Sequence, residues 1–125
     1  MMDEIKPLRW IATSRKDLRT FPNEVQGVMG FALFRAQQGL KHADARPLKG
    51  FGGSGVLEIV DDFDGDTYRA VYTVRYAEIV YVLHAFQKKS KSGIATPKQD
   101  MDLIRSRLRL ADEEHRQWQE KQKRP

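Results

Sequence analysis

Val56-Leu-Glu-Ile-Val-Asp-Asp-Phe-Asp-Gly-Asp-Thr-Tyr-Arg-Ala-Val-Tyr-Thr-Val-Arg75 sets two apolar runs on either side of an Asp-Gly pair, and its reading decides the fold. Val56 to Asp61 is apolar with one interior charge, Glu58, as expected of a strand. The Asp-Gly pair suits the tight turn of a hairpin, whose central residues take positive φ. Tyr68 to Arg75 is then the returning strand. Its β-branched and aromatic residues alternate with Arg69, Thr73 and Arg75, which puts those three polar side chains on one face. The next run, Ile79 to Phe86, is nearly all apolar, the pattern of a central strand covered on both sides. Gln87 to Ala95 is polar and basic, a loop or frayed strand end.

Outward from this core, Leu8 to Thr13 reads as a first strand with Arg9 inserted, and Ser14 is placed to cap a short helix with Asp17 in its first turn. Pro22 opens a second helix. Val25, Val28, Met29, Ala32, Leu33 and Ala36 recur there at spacings of three and four, and Gly39 is its stop. Thr96, Pro97 and Gln99 combine an N-cap, a first-turn proline and a capping-box partner. Met101, Ile104, Leu108, Ala111 and Trp118 continue that helix at roughly heptad spacing. Beyond Asp112 charge and glutamine dominate, so residues 112–125 are expected as a charged tail or an extension of the helix, with the final residues solvated or frayed. The whole chain, 1–125, reads as one α+β domain with its core over about 8–110.

Composition agrees. At 125 residues and 40% hydrophobic content the chain can build one core and not two. A formal charge of +5 and a pI near 9.6 favour an anionic partner. The absence of cysteine excludes disulfides, thiol nucleophiles and Cys-ligated zinc. Charged residues interrupt the N-terminus and no run approaches the roughly 20 apolar residues of a membrane span, so a soluble cytoplasmic protein is expected.

Three motif matches fail on context. Gly50-Phe-Gly-Gly-Ser-Gly55 has dinucleotide-fingerprint spacing, but a strand follows it where a helix is needed, so it reads as a turn whose glycines allow positive φ. Asp62, Asp64 and Asp66 resemble a calcium loop whose glycine comes too early and which no glutamate closes. His42, His84 and His115 lack metal-ligand spacing. No metal or cofactor is expected.

Leu48-Lys-Gly50, the glycine-rich turn into Val56-Leu-Glu-Ile59, Tyr68-Arg-Ala-Val-Tyr72, Leu83-His-Ala-Phe-Gln-Lys-Lys89 and Thr96-Pro-Lys98 resemble, in order and spacing, the phage-derived Gp49-like or HigB-type toxins of the RelE superfamily. The likeness covers about Leu8 to Leu110. It implies a small twisted, mostly antiparallel sheet with two N-terminal helices packed on it and a C-terminal helix. It further implies the toxin of a type II toxin-antitoxin system: a ribosome-dependent mRNA endoribonuclease, or mRNA interferase, that inhibits translation. The implied partners are mRNA on the ribosome and a HigA-like helix-turn-helix antitoxin, together with a higher-order toxin-antitoxin complex. The alternative is a catalytically weak or inactive relative that binds RNA or its antitoxin in a repressor complex.

Cutting RNA without a metal requires activating the ribose 2′-hydroxyl, stabilising charge on the phosphorus oxygens and protonating the leaving oxygen. Arg69 can grip phosphate through its planar fork, and Lys88 or Lys89 can add point charge. His84 is the nearby group that titrates close to neutrality, the candidate acid or base. Should His84 be buried, Glu58 or Tyr72 is next, as acid/base or orienting group. On an extended strand His84, Phe86 and Lys88 share a face, which makes Phe86 a surface for stacking a base. Lys49, Arg75 and Lys91 are further candidate RNA contacts. Each has a plainer counterpart: a hydrogen-bonded core histidine, a core phenylalanine, an Arg69–Glu58 pair across the hairpin, and a solvated lysine loop. Many relatives carry an arginine two residues after the strand glutamate, where this chain has Val60. Arg75 or Lys49 is the expected source of the missing charge.

Overall fold

A computed structural model describes residues 5–53, 55–88 and 96–123. Its elements are β1 (Leu8–Trp10), α1 (Ser14–Leu18), α2 (Asn23–Gln37), β2 (Ala45–Pro47), β3 (Val56–Phe63), β4 (Asp66–Thr73), β5 (Val80–Lys88) and α3 (Lys98–Gln122). The strands make one sheet in the order β1-β5-β4-β3-β2. β1 is parallel to β5 and the other pairings are antiparallel, so the expected mostly antiparallel α+β fold is the one that forms. Its central hairpin closes as read from the sequence. Phe63 pairs with Asp66, and Asp64 and Gly65 make the turn with φ of 52° and 84°.

Helices cover both faces of the sheet. On one side Val25, Met29 and Leu33 of α2 pack against Ile59, Ala70, Tyr72, Val80 and Val82, with Leu18 of α1 in the same cluster. On the other, Ile104, Leu108 and Ala111 of α3 pack against Val56, Val71, Tyr81 and Leu83. Burying each large apolar side chain contributes roughly 1.5–3 kcal/mol. Coverage from both sides is the reason β5 reads as an almost unbroken apolar run.

Alternation breaks at one place in β5. Tyr72 pairs with Val82 and Val71 with His84, so Leu83 is the extra residue of a β-bulge. Regular alternation from Tyr81 would turn His84 toward α2. The bulge instead leaves both Leu83 and His84 facing α3.

Several element ends differ from the sequence reading. β2 was not foreseen: it is three residues long, lies at the sheet edge, and contains Pro47, whose missing N–H an edge position tolerates. Ser14 does not cap α1. It is the first helical residue, and its hydroxyl donates to the carbonyl of Val82 at 3.1 Å. Pro97, not Thr96, occupies the cap position of α3, with no side-chain cap bond. Gly39 does stop α2. At φ 80° it lets the Leu40 N–H reach Arg35 O at 2.8 Å and its own N–H reach Ala36 O at 3.0 Å, a Schellman closure.

At the C-terminus α3 continues to Gln122, so the residues beyond Asp112 extend the helix. His115 is buried. Its Nδ1 lies 3.0 Å from the Tyr81 hydroxyl and its Nε2 3.0 Å from Glu78, while its ring stacks between Tyr76 and Trp118 at 4.1 and 5.3 Å. Ile104, Leu108, Ala111, His115 and Trp118 are one stripe at helical spacing, and Asp102, Arg105, Arg109, Asp112, Glu113 and Arg116 are exposed outside it. Among the described residues, no helix is long and apolar enough to cross a membrane.

Candidate phosphate-binding site

β2, β3 and β4 bring Arg46, Glu58 and Arg69 together on the sheet face that α3 partly covers. Arg46 stands opposite Glu58, and Arg69 opposite Val60. Arg69 Nη1 donates to Glu58 Oε2 at 3.2 Å, and Arg46 Nε donates to Oε1 at 3.1 Å. The Arg69 and Glu58 side chains are only 3% and 7% exposed, whereas Arg46 is 53% exposed. Arg69 Nη1 also donates to the hydroxyl of Thr96 at 3.3 Å, just before α3 begins. The Arg69 fork is thus oriented by a carboxylate from one neighbouring strand and a hydroxyl from the helix entrance. Beside it, a cleft of about 330 Å³ opens between β2, β3 and the start of α3, lined by Arg46, Leu48, Lys49, Glu58, Thr96 and Met101 among others.

His84 is buried, and both of its ring nitrogens are occupied. Nε2 lies 2.8 Å from Asp100 Oδ1 and Nδ1 lies 3.2 Å from Arg107 Nη1. A guanidinium only donates, so Nδ1 accepts and the ring proton sits on Nε2, directed at Asp100. Burial pulls the His84 pKa below its ordinary 6.5, opposed by the hydrogen bond to Asp100 and assisted by the nearby Arg107 charge. Arg107 is itself buried, and burial lowers its pKa too. It donates further to Leu83 O at 3.0 Å and to Thr13 Oγ1 at 3.0 Å, while the Thr13 hydroxyl donates to Asp17 at 2.8 Å. Phe86 stacks on the His84 ring at 4.8 Å with 17° between the planes.

The structure sorts the sequence-derived candidates. Glu58, Arg69, His84, Phe86 and Lys88 lie on one sheet face, with Lys88 opposite Thr67, the β4 residue two before Arg69. Lys49 is exposed at the cleft mouth. Arg75 is elsewhere: six residues on from Arg69, about 20 Å away at strand rise, its Nη1 bonds Asp112 of α3 at 2.8 and 3.0 Å. That contact raises its pKa and commits it to holding the helix, to which Tyr76 also bonds through Asp112. Tyr72 faces α2 on the opposite side of the sheet, where burial pushes its pKa up to about 12. Lys89 and Lys91 lie outside the described residues.

Arg46, Thr96, Asp100 and Arg107 belong to the site and were not picked out from the sequence. Arg107 and Asp100 flank Ile104 by three and four residues, so two charges inside an apolar helical stripe were the available signal. Arg46 had none, because nothing local marks a three-residue edge strand. In place of the arginine expected at Val60, it is Arg46 that brings a second guanidinium to Glu58.

No curated protein and no solved structure matches this chain. The family model for phage-derived protein Gp49-like (DUF891) matches residues 16–109, a span that contains every one of the site residues from Arg46 to Arg107. The chain therefore belongs to the phage-derived Gp49-like family, which is the RelE/HigB-like toxin group.

Proposed function

We propose that this protein is the toxin of a type II toxin-antitoxin pair and cuts mRNA on the ribosome without a metal ion. The observation that carries the reading is the Arg69 guanidinium, already oriented by Glu58 and Thr96, on the same sheet face as Lys88 and Phe86. The Arg69 side chain is only 3% exposed, so its fixed charge stabilises a phosphate through its field with little reorganisation, while the more exposed Arg46 and Lys49 can touch it. Lys88 adds point charge and Phe86 a surface for a base. Glu58 acts as the orienting group, bridging Arg69 and Arg46. His84 supports Phe86 from behind.

The partners that go with this reading are mRNA on the cytoplasmic ribosome and a HigA-like helix-turn-helix antitoxin. Such an antitoxin is expected to cover Arg46, Lys49 and Lys88 with acidic residues. The test is a translation-coupled cleavage assay. Wild-type protein is expected to yield cut mRNA, and Lys88→Ala to lose cutting at least tenfold with an unchanged circular-dichroism spectrum. Undiminished cutting by Lys88→Ala would remove this face from the chemistry.

One observation favours a second reading, in which the protein binds RNA or its antitoxin without cutting. Both nitrogens of His84 are engaged, so no free imidazole nitrogen faces the cleft for proton transfer. Intact mRNA together with retained ribosome binding in the same assay would select it.

A further inference from the structure

The cleft beside Arg69 has apolar walls and a carboxylate that phosphate binding does not use. Its walls include the apolar side chains of Pro47, Leu48 and Met101, its mouth carries Lys49 and the half-exposed Arg46, and its polar wall is the Glu58 carboxylate. A volume of about 330 Å³ is at the small end for ligand pockets, which run from roughly 300 to 1,000 Å³. That suits one nucleotide.

A carboxylate is an acceptor with about four lone-pair positions on its two oxygens. Arg46 occupies one on Oε1 and Arg69 one on Oε2. A base that presented a lone pair there would need the carboxylate protonated, at the expense of both ion pairs, whereas two more donated hydrogen bonds leave it ionised and both pairs in place. The base that fits must therefore present adjacent N–H donors. Guanine does so, with N1–H and the 2-amino group side by side. Adenine and cytosine put an acceptor nitrogen next to their amino group, and uracil puts its single N–H between two carbonyls; each meets the carboxylate with at least one lone pair.

We propose that this cleft is a guanine-selective nucleotide pocket, with Glu58 reading the base, Pro47, Leu48 and Met101 enclosing its ring, and Lys49 and Arg46 holding its phosphate. The assignment rests on the RNA-processing reading above and adds a base preference to it. In that arrangement the guanine lies next to the buried Arg69–Glu58 pair.

The test is a titration of the full chain with guanosine, inosine, adenosine, cytidine and uridine 5′-monophosphates, followed through the methyl signal of Met101. Guanosine monophosphate is expected to bind at least tenfold more tightly than inosine monophosphate, which lacks only the 2-amino group, and to shift the Met101 methyl. Met101→Trp, which fills the cleft, is expected to abolish binding. Glu58→Gln is expected to bring the two purines to equal affinity. Equal affinities in the wild type, binding that leaves the Met101 methyl unmoved, or no binding of any nucleotide at millimolar concentration would each overturn the pocket. Failure here with mRNA cutting intact removes only the base preference. Guanine-selective binding without cutting keeps the pocket and removes the nuclease.

Discussion

Arg69 and Glu58 are a charged pair taken almost wholly out of water, and such pairs matter most when half is removed. Arg69→Met is expected to lower the unfolding free energy, by less than the about 3–5 kcal/mol of a wholly uncompensated buried charge because Arg46 still pairs with Glu58. Glu58→Gln combined with Arg69→Met should recover most of that loss, because no lone buried charge remains. Urea unfolding of both variants checks it, and full wild-type stability in the single variant would contradict the pairing. Activity lost on changing Arg69 alone therefore mixes chemistry with stability, and Lys88→Ala is the cleaner probe.

His84 makes a prediction of opposite chemical sense. Its folded pKa lies below the 6.5 of an unfolded histidine, so the unfolded chain binds the proton more readily. Stability from this residue is present above about pH 6.5 and is lost as pH falls from there toward the depressed folded value. His84→Gln keeps a donor toward Asp100 and does not titrate. Between pH 7 and 5 its stability is expected to fall less than that of the wild type, and identical slopes would rule out the buried neutral imidazole.

At the scale of elements, α3 both closes the site and anchors the fold. Its first turns supply Asp100, Met101 and Arg107 to the His84 side of the sheet, and its far half docks His115 between Tyr76 and Trp118. Ending the chain after Asp112 removes the buried His115 and the half-buried Trp118, and is expected to cost about 3–5 kcal/mol, as deletion of a buried aromatic does. Deleting residues 119–125, whose described members are exposed, is expected to change stability by no more than about 0.5 kcal/mol. Equal effects of the two truncations in urea unfolding would refute the docked far half. The β5 bulge is the second decisive element, since it alone sets His84 on the α3 side while Val82 stays in the α2 core.

At the scale of the whole molecule, two of the candidate cations end far apart. Lys88 lies on the site face, and Arg75 is tied to Asp112 away from it. Release of counterions from single-stranded RNA gives a log–log salt slope of about −0.7 per phosphate contact. Lys88→Ala is expected to make the slope for RNA binding shallower by about that amount, and Arg75→Ala to leave it unchanged. Filter binding or anisotropy across a salt series reads this directly. A slope that responds to Arg75 and not to Lys88 would move the RNA to the other end of the sheet.

Local chemistry determined much of this protein. The Asp64-Gly65 hairpin, the α2 stripe ended by Gly39, the apolar β5 and the shared face of His84, Phe86 and Lys88 within it all follow from turn propensity and side-chain periodicity, which act over a few residues. What the tertiary structure alone decided was set by partners distant in sequence. Arg46 met Glu58 only because β2 paired at the edge, and Thr96 turned from helix cap to Arg69 acceptor only because α3 begins beside β4. Tyr72 left the site because α2 packs the opposite face of the sheet, Arg75 because Asp112 of α3 holds it at the far end, and His84 was fixed as a neutral, doubly bonded ring by Asp100 and Arg107, 16 and 23 residues further along the chain. Periodicity tells which side chains share a face; only packing tells which helix lies over it and which charges it brings.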